Sequence, residues 1–235
     1  MRMPAALAAT SWLVCWLGGW SGSGAPAKVW RYLALGDSYT IGEGIDPAGR
    51  WPVQLAALLR RHGLAPGDSG EPEILARTGW TTAELSAGID AAAPRGPFAL
   101  VSLLIGVNDQ YRGGRPEDYR PAFAALLRRA SAFAGGEPGR VIVLSIPDWS
   151  VTSYGIASGR DLPRVAREIR QFNQVNREET GRAGARYVDI TAASEKALGD
   201  SAQLAPDGLH PSAAMYAEWA RLALPAATAA LAERR

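Results

Sequence analysis

The run Phe98–Ile105 (FALVSLLI) is apolar at every position except Ser102. A strand with one face in water alternates apolar and polar residues. This run does not alternate, so both of its faces must be covered, as happens in parallel sheets whose crossover helices lie on either side. Four further runs read as strands: Val29–Leu35 (VWRYLAL), Glu73–Thr78, Arg140–Ile146 (RVIVLSI) and Arg186–Ile190 (RYVDI). Between and after them lie stretches of helical period: Trp51–His62, Thr81–Asp90, Arg115–Ala134, Leu162–Gly181 and Pro211–Arg235. Strands alternating with helices predict an α/β three-layer sandwich around a five-stranded parallel sheet. In such a sheet the site lies at the carboxyl ends of the strands, so the residues just after each apolar run carry the functional information.

With 235 residues, the chain suits one such domain, and a domain of this size buries roughly 70% of its unfolded surface without needing disulfides or a metal. Lys and Arg total 25 against 23 Asp and Glu, a net charge of +2. That balance, with no basic stripe, argues against a nucleic-acid partner. Cys15 is the single cysteine, and His62 and His210 are the only histidines. Neither a zinc site, nor a multi-histidine metal centre, nor a Cys-His nucleophile pair can be built from these, and no metal or cofactor is expected.

Residues 1–27 differ from the rest. Arg2 gives a short positive start, Ala5–Trp20 is mostly apolar, and Ala25-Pro26-Ala27 places small residues where a signal peptidase reads. The expectation is a signal peptide over 1–27, a single domain over 28–235, and an exported protein, periplasmic or secreted. The apolar stretch falls short of the ~20 residues that span a bilayer, so the mature chain is expected to have no stable membrane span. A lipid anchor on Cys15 is disfavoured, because Val14 stands where such signals want a small residue.

The strand ends converge on one chemistry. Gly36-Asp37-Ser38 follows the first strand, Gly79 the second, and Gly106-Val107-Asn108-Asp109 the third, while Asp207-Gly208-Leu209-His210-Pro211 precedes the last helix. Acyl transfer needs a nucleophile, a base, a group that orients the base, and donors for the oxyanion. Gly-Asp-Ser alone says little, since it recurs at Gly67-Asp68-Ser69 and Gly199-Asp200-Ser201. Only Ser38 follows a strongly strand-like run, and the other two serines read as turn or cap residues. Asp207 and His210, three residues apart, can face each other, so that one imidazole nitrogen is fixed and the other turns to the serine. His62 reads as a helix-end residue, Asp189 as a rival orienting acid or a polar strand terminus, and Asp37 as a carboxylate organising its own turn. Gly79 allows a backbone N–H to approach an oxyanion, and Asn108 can aim its amide at the same point.

These four motifs resemble those of the SGNH/GDSL hydrolase superfamily: Gly36-Asp37-Ser38-Tyr39, Gly79 in RTGWTT, Gly106-Val107-Asn108-Asp109, and Asp207-Gly208-Leu209-His210-Pro211. The resemblance runs from about Val29 to the C-terminus, and the first motif reads GDSY where the family name has GDSL. It implies a flavodoxin-like sheet, Ser38 as nucleophile, His210 as base and Asp207 as orienting acid. The implied oxyanion hole is the Ser38 N–H, the Gly79 N–H and the Asn108 side chain. No G-x-S-x-G elbow occurs, which argues against the α/β-hydrolase alternative. The expected partner is a small-molecule ester: short-chain acyl, lysophospholipid or aryl. Trp80, Tyr111 and Trp149 are candidates for the pocket wall. Two alternatives accompany this reading: an O-acetyl deacetylase or acyltransferase on polysaccharide, and a non-catalytic binding module on the same fold. Oligomeric state is not legible in the residues.

Overall fold

A computed structural model describes residues 30–65 and 70–232. The expected signal peptide, Cys15 and Ser69 lie outside the described residues. In chain order the elements are β1 (Tyr32–Gly36), α1 (Ser38–Ile41), α2 (Trp51–Arg61), β2 (Glu73–Ala76), α3 (Thr82–Ala92), β3 (Leu100–Leu104) and α4 (Val107–Tyr111). They continue with α5 (Pro116–Phe133), β4 (Val141–Leu144), α6 (Ser153–Ala157), α7 (Leu162–Ala183), β5 (Arg186–Val188), α8 (Thr191–Ser194) and α9 (Ala213–Ala232).

All pairings are parallel, in the order β2-β1-β3-β4-β5. This is the flavodoxin-like arrangement, in which the strand order reverses between β1 and β3. Helices α2 and α9 pack together on one face, while α3, α5 and α7 form the other layer, as right-handed crossovers require. Every residue of β1, β3 and β4 is buried, which is why these strands carry no alternation. On α9 the buried face is lined by Ala220, Ala223 and Ala227, small side chains that let the helix close against α2, where Trp51 and Leu55 are buried.

Local chemistry sets the helix ends. Thr81 and Glu84 form a reciprocal capping box at the start of α3, satisfying two free N–H groups at once. Asp161 caps α7 and Gly184 ends it in a left-handed conformation. Two expected boundaries shift. The first strand begins at Tyr32, where it registers with Leu100 of β3, rather than at Val29. The last helix begins at Ala213 rather than Pro211, because Pro211 forms an antiparallel bridge with Leu204 and the Ser212 hydroxyl accepts from the Met215 N–H. Helices α4, α6 and α8 were not expected, since about one turn is too short to show a period.

Candidate active site

The candidate site sits at the β1/β3 reversal. Gly36 ends β1 because nothing larger fits: a Cβ there would lie 2.5 Å from the Leu104 carbonyl oxygen. Asp37 follows as the cap of α1, its Oδ1 accepting from the Tyr39 N–H at 3.0 Å. Ser38 is the first residue of that helix, so its own N–H has no intrahelical acceptor. The side chain is nearly buried, with 5% of the residue exposed.

Across the cleft the segment before α9 delivers His210. His210 Nε2 lies 2.9 Å from Ser38 Oγ, and His210 Nδ1 lies 2.6 Å from Asp207 Oδ2. The remaining carboxylate oxygen, Asp207 Oδ1, accepts from the Leu209 and His210 N–H groups, both at 2.9 Å. Burial pushes the Asp207 carboxyl up, but the His210 ring and these two N–H donors outweigh it and hold the group below its ordinary value. It is therefore a carboxylate at neutral pH. The Tyr39 ring packs against the imidazole at 5.3 Å and against Trp219 of α9 at 6.1 Å, holding the Ser38 segment and His210 on a common support.

The third component is the turn between β2 and α3. Trp80 N–H donates to the Arg77 carbonyl at 3.2 Å, and Gly79 has φ +82, the signature of a type II turn. In that turn the Gly79 N–H belongs to the central peptide and takes no part in the turn's own bond. Each neighbouring group is tied down. Thr78 Oγ1 donates to Glu43 Oε2. Arg112 Nη2 donates to the Gly79 carbonyl at 2.7 Å and Arg112 Nη1 to Glu84 at 3.2 Å. Asn108 Nδ2 donates to the Trp80 carbonyl at 3.0 Å, and Thr82 donates to Asp109 through both N–H and hydroxyl. One amide hydrogen of Asn108 is thus spent on the turn, leaving the other for the pocket that Asn108 lines with Ser38 and Gly79.

That pocket has a volume of about 180 Å³. Tyr111 and Trp149 line it as expected, together with Tyr154 and Leu209, which sequence reasoning missed. Tyr154 lies in the same post-β4 segment as Trp149, and that was the only available signal. Trp80 does not line it. Its indole instead covers Gly88 of α3, where a Cβ would come within 2.3 Å of the ring. Asp189 is not a partner of the histidine: it binds Arg177 at 2.7 Å and the Thr191 N–H at 3.0 Å. His62 is the C-terminal cap of α2. Ser201 opens a single turn of 3-10 helix capped by Asp200.

Two more carboxyls lie close to Ser38, Asp37 in the chain and Asp109 in the fold. Burial, with the Asp109 charge adding to it, raises Asp37 from 3.8 to about 8, and Asp37 Oδ2 has no hydrogen-bond partner. Burial also raises Asp109, against the opposing pull of its Thr82 donors. Asp37 is accordingly a neutral scaffold group at pH 7. Among the described residues no three His, Cys, Asp or Glu side chains cluster as a metal site, and no helix is long and apolar enough to cross a membrane.

Comparison with known proteins gives a consistent result. The model of the GDSL-like lipase/acylhydrolase family matches residues 34–218. Similar solved structures include TesA, at TM-score 0.63 and 22% identity, with 83% of this chain and 97% of that one covered. A GDSL-like lipase from Parabacteroides merdae superposes at TM-score 0.68 and 18% identity, covering 86% and 97%. An acetylxylan esterase from Geobacillus stearothermophilus does so at 0.59 and 20%, covering 86% and 96%. At these identities the structural likeness speaks for the fold. No curated protein matches the sequence.

Proposed function

The chain belongs to the GDSL-like lipase/acylhydrolase family and is an ester-hydrolysing enzyme, and from that premise we propose that it is a serine esterase working through an acyl-enzyme on Ser38. The observation that carries the reading is the unbroken relay from Ser38 Oγ through His210 to Asp207, at 2.9 and 2.6 Å. Ser38 Oγ attacks the ester carbonyl carbon as His210 Nε2 takes its proton. The oxyanion is held by the N–H groups of Ser38 and Gly79 and by the Asn108 amide. Collapse breaks the ester C–O bond, and the leaving alcohol takes the proton back from Nε2. Water then attacks the acyl-serine by the same route, releasing the acid and restoring Ser38. Asp207 keeps the proton on Nδ1 and balances the transient imidazolium.

Ser38→Ala and His210→Ala are each expected to lower kcat on p-nitrophenyl acetate by on the order of 10⁶-fold, the size seen when the serine or histidine of such a relay is removed. A fluorophosphonate is expected to add its mass at Ser38 in the folded protein but not after heating. Undiminished turnover in Ser38→Ala would remove it as nucleophile.

Acetyl removal from, or transfer between, polysaccharide chains is a second reading. The aromatic side chains at the pocket support it, as does the fold shared with an acetylxylan esterase. Comparing acetyl release to water with transfer to an added sugar separates the two. For the N-terminal 27 residues we propose export, on the strength of their leader-like pattern; N-terminal sequencing of the exported protein is expected to begin at Lys28.

A further inference from the structure

The pocket beside Ser38 is bordered by a bond that no step of the reaction uses. Tyr111 and Tyr154 meet hydroxyl to hydroxyl at 2.7 Å. Their two segments approach from opposite sides: Tyr111 ends the helix that begins with Val107 and Asn108, and the Tyr154 N–H donates to the Gly208 carbonyl, inside the turn that carries Asp207 and His210, at 2.9 Å. Beneath them, Trp149 contacts both rings, at 5.5 and 6.3 Å. It is held in turn by an Nε1–H bond to Gln110, which binds Glu168. Arg160 lies over the Tyr111 ring at 4.0 Å and donates to the Tyr111 carbonyl at 3.1 Å. Two members of the triangle are therefore fixed, while Tyr154, 38% exposed, is the outer one, bonded at its tip to Tyr111.

Tyr154 also lines the adjoining groove of about 630 Å³, with Ala157, Leu204 and Gly208. It is the residue that this groove and the 180 Å³ pocket share. At about 180 Å³ the pocket side is the smaller of the two spaces that Tyr154 lines, a size that suits an ester carboxyl with a short chain. It is well below the ~300–1,000 Å³ typical of sites for larger ligands. We propose that the Tyr111–Tyr154 pair is a crossbar that limits the substrate's acyl group to short chains, acetyl to about butyryl, with Tyr154 as the specificity-determining residue. The proposal rests on the esterase reading above and adds the substrate class to it.

The test is a kcat/KM series on p-nitrophenyl acetate, butyrate, octanoate and decanoate, paired with acetate esters of increasing alcohol length. The wild type is expected to prefer the two shorter acyl chains by at least tenfold. Tyr154→Ala, which removes the ring that pocket and groove share, is expected to raise the octanoate-to-acetate ratio by about tenfold or more. Tyr154→Phe and Tyr111→Phe, which keep the rings and break the bond, are expected to raise it several-fold, leaving the alcohol series in wild-type order. A wild type that prefers octanoate, unchanged acyl profiles in all three variants, or a shift confined to the alcohol series would each overturn the crossbar while Ser38-dependent turnover persists. Absence of Ser38-dependent turnover on every ester would sink the esterase reading and the acyl pocket with it.

Discussion

At the scale of single residues, the site is built from side chains that do their work by holding the backbone. Arg112 is the clearest case. Its side chain is 53% exposed, and a surface ion pair with Glu84 contributes ~0–1 kcal/mol to stability. Yet its second nitrogen holds the Gly79 carbonyl and so fixes the turn that presents the Gly79 N–H. Arg112→Gln is expected to lower kcat about tenfold with KM and the unfolding midpoint little changed, because small misplacements of a catalytic donor are costly. Asn108→Ala removes both the proposed oxyanion donor and the tie to Trp80, and a loss of about 10²–10³-fold in kcat is expected. Steady-state kinetics on one short ester decide both; equal kcat in Arg112→Gln and wild type would reduce Arg112 to a surface residue. Ser38, Asp207, His210, Gly79 and Asn108 were all legible as candidates, because each follows an apolar run or opens a helix. Arg112, Glu43 and Tyr154 were not, since a surface arginine, a glutamate in a turn and a lone tyrosine look the same whether or not they reach the site.

Among elements, α3 matters more than its length suggests, because its first turn anchors the oxyanion loop. Thr81 and Glu84 cap it reciprocally, and Thr82 is bound to Asp109, so the helix start is welded to the segment after β3. Thr81→Ala is expected to cost about 1 kcal/mol, the usual penalty for a lost cap, read as a shift of the urea midpoint at constant slope. Ten strands and helices were foreseen in kind and place from their period or from their flanking Gly and Pro residues. The short helices α4, α6 and α8 were not, and α4 and α6 carry Asn108 and Tyr154. A single turn leaves no periodic trace in sequence; it forms because tertiary neighbours and caps, such as Asp37 for α1 and Thr152 for α6, hold it.

For the whole molecule, two carboxyls give stability an opposed pH dependence. Asp37 titrates near 8 when folded against 3.8 ordinarily, so below pH ~4 both states are protonated and its contribution is complete. Between ~4 and ~8 the unfolded chain releases the proton that the folded chain keeps, and stability from this group declines as pH rises. Asp37→Asn keeps the Oδ1 cap and cannot ionise. Its stability relative to wild type, measured by denaturant unfolding at pH 5 and pH 8, is expected to be more favourable at pH 8; a pH-independent difference would show that Asp37 does not titrate. Asp207 acts the other way. Its lowered value supplies stability above the ordinary carboxylate range that is lost as pH falls through its folded value.

The sequence by itself determined the layered α/β architecture, since apolar runs without alternation can be satisfied only between two helical layers. It also named a candidate reactive set, because the chemistry of acyl transfer admits few residue types and this chain has one histidine free of a helix-end explanation. Tertiary structure alone decided which carboxylate faces His210, turning Asp189 to Arg177, and which aromatics reach the pocket, seating Trp80 on Gly88 and bringing in Tyr154. Those outcomes depend on side-chain directions and on contacts between segments far apart in the chain, and neither hydrophobic period nor motif spacing encodes them.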